Sequence, residues 1–413
     1  MLEVDLTDHA LYVNGFPHDL FTELRRQSPI VRHKQTILPD RVARGQTDEF
    51  WVLLSHPLVQ RANRDWETFS ALAGPSILAS IPENQGHSLV ASDPPEHTRL
   101  RRLISAGFTP RMIARLDESI LEYTTRILDE VIERGGEIDF VRDVAYLLPM
   151  QIIAEIMGIP DADRAAIFGH IDTFLRATDP KNDLTADDYQ NAMTRLYEYA
   201  RALGEEKRRR PTEDVWSTLA LAQIEHEDGE AGALTLNELD LFFLILSVAG
   251  SETTRNAISA GMTALIEHPD QFERLRSEPG LIDSATDEII RWASPITMFA
   301  RQATRDVELG GVEIKTGERV SMWYPSANRD DDVFADPFRF DIGRQPNPHV
   351  AFGGGGVHYC LGAHLAKREV HVMFEQIARR FSGAEITGPA VFCTPNDVIA
   401  ASADHLPTRM TPG

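Results

Sequence analysis

Apolar residues return at helical spacing through the middle of the chain. Segments 111–135 and 187–210 are clear examples, because apolar side chains recur every three or four positions and the runs end at Gly135 and just before Pro211. From about residue 96 to 292 nearly every stretch carries this spacing. The pattern predicts a large bulk of packed helices.

Two other regions carry short apolar runs that are bounded by turn residues. Residues of about 30–55 contain IVRH and FWVLL on either side of a loop with Pro and Gly, and residues of about 303–326 contain VELGGVEI and TGERVSMWY. A β-like tail closes the chain, and no repeat or Ser/Gly-rich linker divides it. We therefore expect one domain over residues 1–413, mainly α, with small peripheral β-sheets.

One helix in this bulk is unusually long and apolar. Thr235 and Glu238 form a capping box, and the helical pattern runs from there to about Ile266, before His268 and Pro269 end it. At the usual rise per residue this helix is roughly 45 Å long. Its apolar first half predicts a central position in the fold.

A polar interruption, AGSETT at residues 249–254, lies in the middle of that helix. Gly250 costs about 1 kcal/mol relative to Ala in a helix interior, and burial of Glu252 without a partner costs several more. One interpretation is a solvated stripe at Glu252 and a close helix crossing at Gly250. The other is that the glycine opens a space into which Glu252 and Thr253 deliver protons.

Glu288 and Arg291 lie three residues apart and share a helical face. Taken alone, such a pair is most often a surface ion pair worth under about 1 kcal/mol. Arg344, in the segment FADPFRFDIGR, is a candidate third member of a buried charge network.

The segment FGGGGVHYCLG, residues 352–362, carries the strongest chemical signal. Its four glycines allow positive φ and close approach to a flat group, yet they fit neither dinucleotide nor P-loop spacing. Cys360 comes at the start of an evident helix, whose dipole favours a thiolate over a thiol. A thiolate in a loop free of side chains suits the iron of a haem.

Zinc is the alternative ligand for this segment. His358, Cys360 and His364 are three possible donors, but the sequence offers no evident fourth donor and no second Cys/His cluster. The other cysteine, Cys393, is best interpreted as a small packed hydrophobe.

Charge and composition exclude several classes of protein. The chain has 63 acidic and 41 basic residues, and its net charge of −22 repels nucleic acid and anionic lipid. The longest apolar stretch, residues 241–250, is about half of what a bilayer span requires. The first residues lack the pattern of a signal peptide, and two cysteines form no disulfide framework. We expect a cytoplasmic protein without a membrane span or a nucleic-acid partner.

The cysteine segment resembles the haem-ligand loop of bacterial cytochromes P450. AGSETT, the Glu288-x-x-Arg291 pair and the FADPFRFDIGR segment match other signatures of that family in the same order, and the resemblance covers nearly the whole chain. One departure is that Phe352 precedes Cys360 by eight residues, one more than the commonest spacing. The resemblance implies the P450 fold and haem b.

Site residues follow from the resemblance, position by position. Cys360 would be the iron ligand, and Glu252 and Thr253 would be the acid and alcohol that supply protons. The remaining cofactor residues would be His97, Arg101, Arg301 and His358 at the propionates, with Phe352 by the sulfur and Gly250 beside the haem. A structural charge triad behind the haem would consist of Glu288, Arg291 and Arg344.

The implied activity is insertion of one oxygen atom from O2 into a C–H bond of a small apolar substrate. The sequences of several segments are similar to those of hydroxylases that act on sterol side chains and methyl-branched lipids. Terpenoids are the second expected class of substrate. Expected wall residues are Phe174, Val248, Ala249, Ile296, Met298 and Val398. Electrons would come from a ferredoxin with an NAD(P)H-dependent reductase, docked on Arg102, Arg111, Lys367 and Arg368.

Other functions remain open at this point. A peroxide-using or non-oxidative haem-thiolate enzyme does not need the Glu252–Thr253 pair, so that pair favours O2 activation. A haem or gas sensor and a zinc-stabilised helical binding protein are the alternatives outside catalysis. The basic docking residues are nearly as well explained as a solvated face.

Overall fold

The computed structural model describes residues 4–34, 49–77, 85–177, 182–225, 231–393 and 402–413. Its helices are α1 (His18–Gln27), α2 (His56–Arg64), α3 (Glu96–Gly107), α4 (Pro110–Glu133), α5 (Leu147–Ile156), α6 (Asp161–Arg176), α7 (Ala186–Arg209), α8 (Val215–Leu221), α9 (Leu236–Glu267), α10 (Pro269–Ser277), α11 (Ile282–Ala293), α12 (Tyr324–Ala327) and α13 (Ala363–Arg380). Short 3-10 helices span His9–Tyr12, Leu89–Ala91 and Pro279–Leu281, and a π-helical turn spans Val141–Ala145.

The strands form one five-stranded sheet and several smaller ones. They are β1 (Ile30–Lys34), β2 (Glu49–Leu53), β3 (Phe69–Ser70), β4 (Glu137–Asp139), β5 (Gln223–Glu225), β6 (Ala231–Ala233), β7 (Met298–Ala303), β8 (Val307–Leu309), β9 (Val312–Ile314), β10 (Arg319–Trp323), β11 (Phe381–Ile386), β12 (Val391–Cys393), β13 (Ser402–His405) and β14 (Pro407–Pro412). The large sheet has the order β1-β2-β10-β7-β3, and a three-stranded sheet has the order β11-β14-β4. Three two-stranded antiparallel sheets pair β5 with β6, β8 with β9 and β12 with β13.

The expected central helix is α9, and its start is confirmed. The Thr235 side chain accepts from the amide of Glu238, and the Glu238 carboxylate accepts from the amide of Thr235, which completes the capping box. The helix runs unbroken to Glu267. It packs against α5, α7, α11 and α13 and carries much of the largest apolar cluster. Because that cluster draws on residues from Leu100 to Met410, we interpret the chain as one domain.

Two glycines of α9 allow neighbouring helices to approach closely. A Cβ at Gly250 would lie 2.7 Å from Cδ1 of Ile153 on α5, and one at Gly261 would lie 2.6 Å from Cγ2 of Ile289 on α11. Real Cβ atoms do not tolerate such distances, so Gly250 is a close helix crossing. That interpretation does not compete with an opening, because Gly250 also borders the cavity described below.

The two faces of the large sheet pack against different apolar clusters. Along β7, Met298 and Ala300 belong to a cluster with Trp323, whereas Phe299 packs against the cluster that contains Met322. This alternation is the ordinary pleat of a strand. It decides which β7 side chains reach the cavity.

Glu288, Arg291 and Arg344 form one buried network. Both Glu288 and Arg291 are fully buried, and Arg291 Nε donates to Glu288 Oε2 at 2.7 Å while Arg344 Nε donates to the same oxygen at 3.1 Å. Asn347 Nδ2 and the amide of Asp341 complete the carboxylate's hydrogen bonds. A buried carboxylate needs this many donors, which the surface ion-pair interpretation did not anticipate.

Within the described residues, no single helix has the length and hydrophobicity of a bilayer span. One bent pair, Val141–Ile156 with Asp161–Arg176, meets that criterion only when its two parts are joined.

Candidate haem site

A largely apolar cavity lies between α9, the end of β7 and the cysteine segment. Its apolar wall includes Leu89, Val90, Leu246, Ala249, Ile296 and Phe299. Its polar residues are few and come from separate elements, among them Thr253 of α9 and the segment that ends in Cys360. Such a lining is typical of a ligand or cofactor cavity.

Cys360 opens into this cavity. Its side chain is accessible although protein atoms surround it, because the accessible surface belongs to the cavity rather than to the exterior. Burial raises the pKa of the Cys360 thiol, while the Gly362 amide and the charge of Arg101 lower it. The expected dipole effect therefore does not dominate in the chain alone: α13 begins only at Ala363, and desolvation is the larger effect.

The glycine run turns the chain through the left-handed region at four successive positions. The φ angles of Gly353, Gly354, Gly355 and Gly356 are +95°, +66°, +110° and +82°. A Cβ at Gly356 would lie 2.5 Å from the carbonyl oxygen of Asn63 at the end of α2. The expectation that the glycines serve only a flat ligand is incomplete, since they also let the segment pass against α2.

Phe352 is tied to the cysteine in spite of the extra residue between them. The amide of Cys360 donates to the carbonyl oxygen of Phe352 at 3.0 Å. The Phe352 ring borders the cavity, with the rings of His349 and Tyr359 at centroid distances of 5.8 and 6.3 Å. The glycine run thus accommodates the added residue and still allows this backbone hydrogen bond.

Four basic side chains gather at one edge of the cavity. They are His97, Arg101, Arg301 and His358, and the two imidazole rings lie 4.2 Å apart. Nε2 of each histidine is buried without a hydrogen-bond partner in the part of the chain that the structure describes. Arg101 donates to the Val357 carbonyl oxygen at 3.3 Å, and Arg301 to that of Ala300 at 2.8 Å.

The electrostatics of this cluster suit an anionic ligand. Burial and the charge of Arg101 lower the pKa of His97 to about 4, and burial with Arg301, His97 and Arg101 lowers that of His358 to about 2. Both imidazoles are therefore neutral at neutral pH, whereas the buried guanidinium of Arg301 keeps a charge whose burial is costly unless an anion lies close to it. A group with two carboxylates would satisfy all four donors. Haem, with its two propionates and an iron for Cys360, fits these residues.

Thr253 and Glu252 point in different directions from α9. Thr253 borders the cavity, and its hydroxyl donates to the carbonyl oxygen of Ala249 one turn earlier at 2.9 Å. Glu252 is buried and accepts from Nη2 of Arg255 at 2.5 Å. Tyr146, Asp172 and Arg176 lie in the same charged surroundings. The carboxylate is therefore held beside the cavity wall, and only the alcohol faces the cavity.

Only some of the expected wall residues border the cavity. Ala249 and Ile296 border the cavity. Met298 is a correction: it packs on the opposite face of β7 with Trp323, and the pleat presents Phe299 to the cavity instead. Val248 and Phe174 pack against the main apolar cluster, where Phe174 stacks on Tyr189 at 5.0 Å. Val398 lies outside the described residues.

Several residues at the cavity were missed from the sequence. Asn63 and Tyr324 border it near Arg301, and the Tyr324 hydroxyl donates to Oδ1 of Asn63 at 3.2 Å. Pro75 contributes to the wall from a loop. Only tertiary packing brings these three together, since no local pattern marks them.

The proposed docking residues are largely neutralised by carboxylates. Lys367 lies 2.6 Å from Asp287, Arg368 lies 2.8 Å from Asp117, and Arg111 lies 2.8 Å from Glu213. Arg102 is exposed and, among the residues that the structure describes, has no acidic partner. The patch is thus less basic than the sequence suggested.

The zinc alternative finds no support in the geometry. Among the described residues, no group of three His, Cys, Asp or Glu side chains is placed to hold a metal ion. His358 faces His97 rather than a second thiolate.

Glu369 is a further buried acid at the cavity. It is 2% exposed, borders the cavity from α13, and its Oε2 has no hydrogen-bond partner within the described residues. Burial raises the pKa of Glu369 well above its usual value. The carboxylic acid of Glu369 therefore stays neutral to a higher pH than that of an exposed glutamate.

This burial predicts a pH-dependent gain in stability for Glu369→Gln. A raised folded-state pKa means that Glu369 favours folding below about pH 4.3 and progressively loses that contribution as the pH rises. Above about pH 4.3, we expect the free energy of unfolding of the variant to rise relative to that of the parent by up to about 1.4 kcal/mol per pH unit. Urea unfolding at several pH values measures this difference in stability. The control variant is Glu122→Gln, at an exposed glutamate. A pH-independent difference would contradict the assignment.

Comparisons with known proteins agree with this geometry. The family model described as Cytochrome P450 matches residues 41–390. The chain is 41% identical over 381 residues to a Steroid C26-monooxygenase of Rhodococcus jostii, covering 91% of this chain and 78% of that protein. It is 40% identical over 365 residues to a Methyl-branched lipid omega-hydroxylase of Mycobacterium tuberculosis, covering 87% and 83%.

A solved structure gives the same result for the fold. A Mycobacterium marinum cytochrome P450 in complex with pseudoionone superimposes with a TM-score of 0.89 at 33% identity, covering 99% of this chain and 98% of that one. The mainly α fold expected from the sequence is confirmed. The cofactor of this family is haem b, and the thiol and the basic cluster fit it. The chain belongs to the cytochrome P450 family of monooxygenases, which use O2, a redox partner and a substrate.

Proposed function

We propose that Cys360 is the iron ligand and that His97, Arg101, Arg301 and His358 hold the haem propionates. The observation that carries this assignment is the set of four basic side chains at one edge of the cavity that contains the thiol. His97 and Arg301 are buried, and Nε2 of both histidines has no hydrogen-bond partner among the described residues. Phe352 and Gly250 border the same cavity and would flank the cofactor. Haem supplies O2 activation and insertion of one oxygen atom into a C–H bond.

The other roles at the site belong to residues of the chain. The apolar wall excludes water and orients the substrate, and Thr253 holds a proton at its hydroxyl on the cavity side. Glu252 lies one residue earlier, on the other side of the wall, where it can exchange protons with the polar cluster around Arg255. Glu288, Arg291 and Arg344 fix the segment that leads to the cysteine and take no part in chemistry.

We propose that the substrate is a sterol side chain or a methyl-branched lipid, with terpenoids as the second class. The apolar wall supports a hydrocarbon substrate, and two relatives carry names that state these two activities. The terpenoid class is supported by pseudoionone in the similar Mycobacterium marinum structure.

A substrate panel tests this proposal. Sterols, branched fatty acids and terpenoids are added to the haem-loaded protein, and the spin-state shift is measured as each displaces water from the iron. Binders are then incubated with a surrogate ferredoxin and reductase, and the products are identified by mass spectrometry. We expect a hydroxylated terminal carbon from a branched lipid or sterol. Binding and turnover of polar compounds alone would refute the assignment.

The redox partner is proposed to be a ferredoxin that docks around Arg102. Because Arg102 is the member of the patch without an acidic partner, we expect Arg102→Glu to slow reduction by about tenfold at low ionic strength. Lys367→Glu should have a smaller effect, since Asp287 already offsets that charge. Arg195→Glu on α7 is the control. Stopped-flow kinetics measure the rate of reduction of all three variants. Equal rates would contradict docking at Arg102.

A cytoplasmic location remains a prediction, which fractionation of cells that express the chain would test.

A further inference from the structure

Arg319 is a buried arginine on the face of the large sheet that points away from the cavity. It opens β10, pairs with Gln302 of β7 and is 8% exposed. Its neighbour Val320 pairs with Arg301, which borders the cavity. Because successive strand residues alternate, Arg319 lies on the opposite face, the one that carries Trp323 and Met298.

The guanidinium group of Arg319 binds backbone carbonyl groups of one short segment. Nη2 donates to the carbonyl oxygens of Ser76 at 2.7 Å and Gly74 at 3.2 Å, and Nη1 to that of Ala73 at 3.4 Å. In the described part of the chain it has no carboxylate partner. Burial and the charge of Arg301 lower the pKa of Arg319 to about 10, so that it remains a cation at neutral pH.

This segment forms part of the cavity wall. Pro75, between two of the bound carbonyls, borders the cavity, and its own carbonyl oxygen accepts from the Ala300 amide at 2.7 Å. Gly74 has a φ of +85°, which lets the chain turn at this point. The carbonyls of the four successive residues 73–76 are thus held by β7 and β10, three of them by Arg319.

We propose that Arg319 is a positioning residue that fixes segment 73–76 as a wall of the substrate cavity and thereby sets substrate affinity. The inference rests on the proposed function, because it takes the cavity as the substrate site. The planar fork of arginine can serve several carbonyls at once, whereas a lysine offers one point charge. Substrate discrimination at this wall therefore depends on a side chain that does not contact substrate.

Ligand titrations of the haem-loaded protein test this role. The variants are Arg319→Met and Arg319→Lys, and the control is Arg25→Met, which removes a buried arginine that binds the carbonyls of Ser326 and Arg329. We expect Arg319→Met to weaken pseudoionone binding by about tenfold, with Arg319→Lys between it and the parent. Imidazole, which needs only the iron, should change by less than about twofold in each. Parental pseudoionone affinity in Arg319→Met would overturn the proposal.

Amide hydrogen exchange gives a second measurement that needs no substrate. We expect peptides that cover residues 71–77 to exchange at least about tenfold faster in both Arg319 variants, with unchanged exchange in α9. Unchanged exchange in 71–77 would overturn the proposal. If the parent binds no compound of the panel, the substrate proposal fails while exchange still decides the role of Arg319. If Arg319→Met does not bind haem, the ligand titration and the hydrogen exchange are both measured on Arg319→Lys.

Discussion

We expect Cys360→Ser to abolish the far-red-shifted Soret band of the reduced carbon monoxide complex and to reduce monooxygenase turnover to background. The expected cause is loss of the only thiol that opens into the described cavity, beside the basic cluster that fits the propionates. Serine keeps the size of the side chain, so that the fold and the basic cluster remain. This is the largest effect expected for any single substitution.

The second cysteine supplies the matched control. Cys393→Ser should retain both the shifted band and turnover, since Cys393 is the only other cysteine of the chain. Difference spectra of reduced, carbon monoxide-treated protein measure both variants. A shifted band that survives in Cys360→Ser and disappears in Cys393→Ser would overturn the assignment of the ligand.

Thr253→Ala is expected to separate electron consumption from product formation. The hydroxyl borders the cavity, and its removal takes away the proton donor on that side, so that reducing equivalents leave as hydrogen peroxide. We expect the fraction of electrons recovered in product to fall by about tenfold or more. Parallel assays of NAD(P)H oxidation, peroxide and product measure it.

Thr263→Ala is the matched control for that experiment. Thr263 lies further along the same helix and makes the same bond, to the Ser259 carbonyl oxygen at 3.0 Å, so its loss reports the cost of removing a helical back-bond alone. Thr253→Ser should restore coupling because it keeps the hydroxyl. Full coupling in Thr253→Ala would contradict proton delivery by this residue.

Local sequence patterns predicted the architecture well. The capping box at Thr235 and Glu238 located the start of the central helix to within one residue, because capping uses side chains only three positions apart. Alternating and short apolar runs likewise located β1, β2 and β8 to β10. These signals are local, and tertiary contacts did not have to be known.

Side-chain direction was the part that the sequence could not supply. Glu252 and Thr253 are adjacent, yet Arg255 draws the carboxylate to one side of the wall while the hydroxyl remains on the other. The sequence prediction named Met298, whereas β7 presents Phe299 to the cavity, because the register of β7 against β10 is set by pairing between distant segments. The acidic partners of Lys367 and Arg368 are also distant in sequence.

If the basic cluster at His97, Arg101, Arg301 and His358 holds the haem propionates, as proposed, it couples maturation of the protein to its cofactor. A group that binds only the folded chain stabilises it by mass action, so the loaded enzyme would be more stable than the chain before loading. Cofactor supply would then govern how much of the polypeptide survives proteolysis. In an iron-starved cell the abundance of this enzyme, and not only its specific activity, would decline.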